Sequence, residues 1–153
     1  TSSSRKGSPT VRLPGIYGPG KSAIEDLIDG SARRIVKPGQ VFNRIHVDDI
    51  ATAVLAAIAT AQTSRVYNVT DDEPGPPQDA VAYGAALLGL PVPPGLDFAT
   101  AELSPMTRSF YGESKRVSNA RMKRELGVGL RFPTYREGLS DAAARYRAKE
   151  TPT

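Results

Sequence analysis

The chain has no cysteine and no tryptophan, a single histidine and two methionines. Without cysteine it forms no disulfide and offers no thiolate to a metal, which fits a reducing, cytoplasmic setting. Aromatic residues make up only 7% and apolar residues 39% of the 153 residues, so a core is available but not generous. No apolar run approaches the roughly 20 residues that a membrane-spanning helix needs, and no membrane partner is expected. The first residues, Thr1-Ser2-Ser3-Ser4-Arg5-Lys6-Gly7-Ser8-Pro9, are polar and turn-rich. Residues 1–10 are expected to be a disordered leader, without the apolar segment of a secretory signal.

What is present is charge, glycine and proline. The formal charge of +4 is unevenly spread: residues 1–107 carry 9 basic and 11 acidic groups, residues 108–153 carry 11 and 5. A basic C-terminal third permits a non-enzymatic interaction domain for an acidic partner, but no aromatics interleave with the cations, so nucleic acid is not the expected partner. A solvated helix face explains the same charges.

Local signals divide the chain into short strands and helices. Val11 to Tyr17 reads as a strand interrupted by Pro14. Ser22-Ala23-Ile24-Glu25 is a capping box opening a helix with Ile24, Leu27 and Ile28 on its apolar stripe and Gly30 at its end. Lys37-Pro38-Gly39-Gln40 fits a type II turn and predicts a hairpin or tight reversal between Arg34-Ile35-Val36 and a strand running from Val41 to Val47. Asp48 or Asp49 should cap an Ala-rich helix burying Ile50, Val54 and Ile58. A strand over Arg65–Val69 follows, then a helix started by Pro76 or Pro77 that buries Val81, Ala85 and Leu88 and stops at Gly89. Residues 90–110 read as a long surface loop. Ser118 caps a helix with Met122 and Leu126, ended by Gly127. Thr134-Tyr135-Arg136-Glu137 is a second capping box, opening a helix with Leu139, Ala142, Ala143 and Tyr146. Strands alternate with helices, which means α/β, yet only three or four strands are visible, too few for a complete doubly wound sheet.

Four motif matches compete. Gly15-Ile16-Tyr17-Gly18-Pro19-Gly20-Lys21-Ser22 satisfies G-x-x-x-x-G-K-[ST], the phosphate loop of a triphosphate-binding module, with Lys21 on the phosphates and Ser22 on magnesium. Pro19 removes one amide from that cradle, and no apolar strand supplies a second metal ligand. Gly18-Pro19-Gly20-Lys21-Ser22-Ala23 fits G-x-G-x-x-A but lacks the surrounding βαβ unit. Tyr-x-x-x-Lys, which places a phenol and an ammonium one helical turn apart, occurs at Tyr17/Lys21 and Tyr111/Lys115. Glycines between the first pair oppose a helix there.

The fourth match is distributed. Arg12-Leu13-Pro14-Gly15-Ile16-Tyr17-Gly18-Pro19-Gly20, then Arg44-Ile45-His46-Val47-Asp48-Asp49-Ile50-Ala51, then Tyr67-Asn68-Val69, then Lys115 through Leu126-Gly127 occur in this order. Together they resemble the C-terminal half of an extended short-chain dehydrogenase/reductase of the NAD-dependent epimerase/dehydratase group, over roughly residues 11–140. The resemblance implies an incomplete Rossmann-like α/β fold in which residues 11–150 form C-terminal strands and helices plus a small substrate-binding part. It implies that Leu13, Pro14, Gly15 and Ile16 flank the nicotinamide of NAD or NADP, and that Tyr17, Asn43, Arg44 and His46 face a small-molecule substrate. Asp49 would cap its helix, and His46 would orient the loop. In nucleotide-sugar epimerases an Arg that holds the diphosphate often stands where this chain has Phe42. The family's Gly-rich cofactor motif and catalytic Tyr-x-x-x-Lys belong upstream of Pro14-Gly15. No catalytic residue or metal ligand is therefore assigned, and the chain alone is expected to be silent, to bind NAD(P) weakly or not at all, and to need a separate N-terminal half or to pair as a homodimer.

Overall fold

The computed structural model describes residues 7–60 and 65–150. The expected leader lies outside the described residues up to position 6, and its end is corrected, because Thr10 already belongs to a strand. The elements in chain order are β1 (Thr10–Arg12), β2 (Gly15–Tyr17), α1 (Ala23–Asp29), β3 (Arg34–Val36), β4 (Arg44–His46), α2 (Val47–Thr60), β5 (Val66–Asn68), α3 (Pro77–Leu88), β6 (Gly95–Asp97), α4 (Pro105–Phe110), α5 (Ala120–Leu126) and α6 (Tyr135–Glu150).

Every strand pair among the described residues is parallel: β1 with β5 in the register Val11↔Tyr67, β2 with β4 in the register Ile16↔Ile45, and β3 with β6 in the register Ile35↔Leu96. Parallel neighbours need crossovers, and the intervening helices supply them. Pro14 separates β1 from β2, which take different partners. Of the two expected outcomes the tight reversal forms and the hairpin does not. The turn has Gly39 at φ +78° and the Gln40 amide donating to the Lys37 carbonyl at 3.0 Å. Beyond the turn, however, the chain leads away to β4, and β3 takes a distant partner. That partner lies inside the stretch read as a loop, which also holds α4, capped by Ser104 Oγ accepting from the Thr107 amide at 3.1 Å with Pro105 as its first residue.

The core has two parts. Ile45, Ala53, Ala57, Tyr67, Val69, Met122, Leu126 and Val128 pack β4 and β5 between α2 and α5. Ile24, Ala80, Tyr135, Leu139, Ala142 and Ala143 join α1, α3 and α6. In α2 the buried face is Asp49, Ala53 and Ala57, so Ile58, expected inside, is 73% exposed, as is Leu55 at 67%. Small residues win that face because they let the helix approach β4 and α5 closely. In α3 the buried set is Ala80, Gly84 and Ala85 rather than Val81, Ala85 and Leu88. A β-carbon on Gly84 would stand 3.0 Å from Leu27 Cδ1, so the glycine sets the α1–α3 approach.

The two capping boxes follow the sequence closely. Ser22 Oγ accepts from the Ile24 amide at 3.1 Å and donates to Glu25 at 2.5 Å. Thr134 Oγ1 accepts from the Arg136 amide at 3.1 Å, and the Glu137 carboxylate accepts from the Thr134 amide at 3.1 Å. Among the described residues no helix is long and apolar enough to cross a membrane.

Candidate functional site

The connection between β1 and β2 leaves Leu13 44% exposed and Gly15 open, with only the Asn43 carbonyl, at 3.6 Å, within reach of a β-carbon at Gly15. This surface opens into a cleft of about 390 Å³, lined also by Val41, Phe42 and Asn43 from the approach to β4 and by Phe110, Glu113 and Lys115. The structure thus brings together Leu13, Pro14, Gly15 and Asn43 of the anticipated site residues. Ile16, 42% exposed, does not line the cleft.

The far wall is an irregular strap, residues 111–117, sewn to residues 37–43 by side chain–backbone hydrogen bonds. Lys37 Nζ donates to the Tyr111 carbonyl at 2.5 Å and Gln40 Nε2 to the Glu113 carbonyl at 2.7 Å. Ser114 Oγ accepts from the Val41 amide at 2.9 Å and donates to the Gly39 carbonyl at 3.0 Å. Asn43 Nδ2 donates to the Lys115 carbonyl at 2.8 Å, and its Oδ1 accepts from the Val117 amide at 3.0 Å. Tyr111 packs between Phe42 and Phe98, with centroids 5.0 and 5.1 Å away. A strap without secondary structure is thereby fixed by six side chain–backbone hydrogen bonds. Neither its residues nor its bonds carry a periodic pattern, which is why Phe110 and Glu113 escaped the sequence reading.

The remaining anticipated residues lie elsewhere. Tyr17 and Arg44 line a smaller cavity of about 180 Å³, which Phe42 borders as well. The Arg44 guanidinium sits over the Tyr135 ring at 5.0 Å, and its Nη1 is buried without a protein partner. Asp71, its electrostatic neighbour, accepts from the Glu73 amide at 3.0 Å through Oδ1, while Oδ2 is unpartnered. Burial pushes the Asp71 carboxyl up to about 7, against the Glu73 hydrogen bond and the Arg44 charge. Burial likewise raises the Tyr17 phenol and lowers Arg44.

His46 is 1% exposed. Its Nδ1 accepts from the Asp48 amide at 3.0 Å, so the imidazole itself caps α2, with Phe132 stacked at 3.9 Å and Tyr17 edge-on at 5.2 Å. Burial lowers its pKa and keeps it neutral, as an acceptor at Nδ1 requires. Asp49 is corrected from helix cap to loop anchor: its two oxygens accept from the Arg131 and Phe132 amides at 2.8 and 3.0 Å.

Gly15 to Ser22 is a strand and a tight turn. Gly18 and Lys21 exchange backbone hydrogen bonds of 3.0 Å, and the Gly20 amide donates to Glu25 at 3.3 Å. Amides turned inward in this way do not form an anion cradle, and Ser22 is occupied by its cap. Neither Tyr-x-x-x-Lys pair lies on one helix: Tyr17 ends β2, and Tyr111 closes α4 while Lys115 belongs to the strap. Within the basic C-terminal third, Lys123 pairs with Asp72 at 2.6 Å, Arg145 with Asp141 at 2.8 Å, Arg136 with Glu73, and Arg121 with Glu125. Those cations are balanced by the chain's own acids.

No protein-family model matches the chain. A curated relative, the 3-diazoavenalumate denitrifying reductase of a Streptomyces species, is 30% identical over 142 residues, covering 84% of this chain and 45% of the relative. A conserved protein of unknown function from Silicibacter pomeroyi has a solved structure that is 56% identical, with a TM-score of 0.85, over 90% of this chain and 49% of that one. The human epimerase family protein SDR39U1 (isoform 2), solved with NADPH, is 21% identical with a TM-score of 0.73 over 89% of this chain and 48% of its own. The chain spans about half the length of each. It has the α/β, parallel-stranded fold of extended short-chain dehydrogenase/reductases of the NAD-dependent epimerase/dehydratase type, over about half of their structure.

Proposed function

We propose that this chain is the C-terminal, substrate-binding part of an NAD(P)-dependent oxidoreductase or epimerase of the short-chain dehydrogenase/reductase family. The observation that carries the reading is the cleft in which Leu13, Pro14 and Gly15 meet Phe42, Asn43 and Lys115. The residues suit a flat ring: Gly15 presents bare backbone, Pro14 fixes the chain direction, and Leu13 offers an exposed apolar contact. A bound nicotinamide supplies hydride transfer. This chain's share is to bound the ring with Leu13, Pro14 and Gly15 and to seat the substrate against the strap.

Similarity over half of each relative's length supports a division of labour. The Gly-rich cofactor turn and the proton-transferring Tyr-Lys pair belong to residues outside these 153, from a preceding half or a separate chain. On this reading the chain alone is inactive and binds NAD(P) weakly, and the exposed Leu55 and Ile58 on α2 favour association. The test is a titration of NADPH and of NAD into the isotopically labelled chain, followed by backbone amide NMR. Weak, saturable shifts centred on Leu13 to Ile16 are expected. Shifts centred on Gly18 to Ser22, obtained with Mg-ATP instead, overturn the reading.

A further inference from the structure

Resting on the reading above, the cleft also restricts the substrate, and we propose that it takes a flat, apolar monoanion, a carboxylate anchored by Lys115, rather than a diphosphate-bearing nucleotide sugar. Charge is the first argument. Among the described residues Lys115 is the sole cation lining the cleft, and Glu113, two residues earlier on the same strap, lines it too. A diphosphate brings at least two negative charges to one ammonium and one carboxylate. A monoanion needs only the ammonium, and Glu113 then penalises a second anionic group.

The other polar groups nearby are engaged or face elsewhere. Lys37 spends its ammonium on the Tyr111 carbonyl and on the face of Phe98, 4.9 Å from its centroid. Arg44 faces the smaller cavity. Both polar atoms of the Asn43 amide are held by the Lys115 carbonyl and the Val117 amide. Asn43 is therefore a positioning residue for Lys115, not a ligand. Among the described residues Lys115 has no ion pair or side-chain hydrogen bond, so its ammonium is available to a guest. The rest of the lining is apolar or aromatic: Leu13, Pro14, Val41, Phe42 and Phe110. Phe42, held against Tyr111, offers a fixed ring face for stacking.

The test compares phenylacetate with its neutral isostere phenylacetamide by backbone amide NMR on the 153-residue chain, with inorganic pyrophosphate as the diphosphate probe. Phenylacetate is expected to shift Phe42, Phe110 and Lys115 saturably, and to bind about fivefold more tightly than the amide, the worth of one exposed ion pair. Lys115→Gln is expected to erase that preference and Lys115→Arg to keep it. Equal binding of acid and amide, a preference that survives in Lys115→Gln, or tighter pyrophosphate binding at the same amides overturns the proposal. If NADPH still shifts Leu13 to Ile16 in that event, only the substrate class is lost; if NADPH shifts nothing there, the assignment of Leu13 to Gly15 as a cofactor wall falls separately.

Discussion

Asn43 clamps Lys115. Its amide nitrogen donates to the Lys115 carbonyl at 2.8 Å while its oxygen accepts from the Val117 amide at 3.0 Å, so one side chain bridges the strap on both sides of Val117's neighbour Arg116. Asn43→Ala leaves both backbone groups without their partner. The expected loss is about 1–2 kcal/mol of stability, less than a fully buried pair would give because the site is partly open to water. Urea unfolding checks the energy. Amide shifts of residues 113–117, larger than those around β4, check that the strap is what moved. Asn43→Asp keeps the acceptor for Val117 but sets a carboxylate against the Lys115 carbonyl, and should disturb the strap at its Lys115 end.

A second relationship is steric. A β-carbon on Gly138 of α6 would overlap the Tyr17 hydroxyl and ring, so this glycine makes room for Tyr17 to lie against the helix. Gly138→Ala should improve intrinsic helix propensity by about 1 kcal/mol and yet destabilise the protein by about 1–3 kcal/mol net, because α6 must shift or Tyr17 must leave its place. Gly129→Ala is the control: nothing lies within 4 Å of its new methyl, and a change near zero is expected. Chemical denaturation of the two variants side by side shows whether the crowding at Gly138 is real. If Gly138→Ala is as well tolerated as Gly129→Ala, the close approach of Tyr17 is wrong.

What the sequence made legible was local. Capping boxes at Ser22–Glu25 and Thr134–Glu137 join residues three apart, and glycines with left-handed φ at Gly30, Gly89 and Gly127 end their helices where expected. Features decided by distant partners were hidden. The Ala-rich α2 has apolar residues on more than one face, and only the arrival of Met122 and Leu126 selects Ala53 and Ala57 over Ile58. β3 pairs with β6 across a stretch whose prolines argued for a loop. At the proposed site, Leu13 to Gly15 was anticipated through an ordered set of motifs and lines the cleft, whereas Phe110 and Glu113 enter it through a strap whose stitches, such as Gln40 to Glu113, carry no periodicity.

Asp71 predicts a pH dependence. Its ordinary pKa of 3.8 is raised to about 7 in the folded protein, chiefly by burial. The folded state therefore favours the protonated acid, while the unfolded chain gives the proton up near the ordinary value. Between these values the native state binds more protons, so stability falls as pH rises. The contribution is complete below pH 3.8 and is lost as pH climbs through about 7. Asp71→Asn keeps the Oδ1 acceptor for the Glu73 amide and removes the titration. The variant should gain on the parent as pH rises from 5 to 8 in denaturant melts at constant ionic strength. Parallel stability curves for the two proteins would mean that Asp71 does not carry the effect.

The turn at Gly18–Lys21 yields the sharpest separation between the two readings of the same eight residues. A phosphate loop needs Lys21 for charge and Ser22 for magnesium, so both Lys21→Ala and Ser22→Ala should then abolish nucleotide binding while sparing the fold. In this structure the roles divide differently. Ser22 caps α1 through the Ile24 amide and Glu25, while the Lys21 backbone closes the turn with Gly18. Ser22→Ala should therefore cost about 1 kcal/mol of stability, and Lys21→Ala, which keeps its backbone bonds, close to none. Neither variant should alter the response to Mg-ATP, because the turn amides are bonded within the turn and to Glu25. Saturable Mg-ATP binding by the parent that disappears in Lys21→Ala would reverse this assignment, and would make the cap at Ser22 secondary to a ligand.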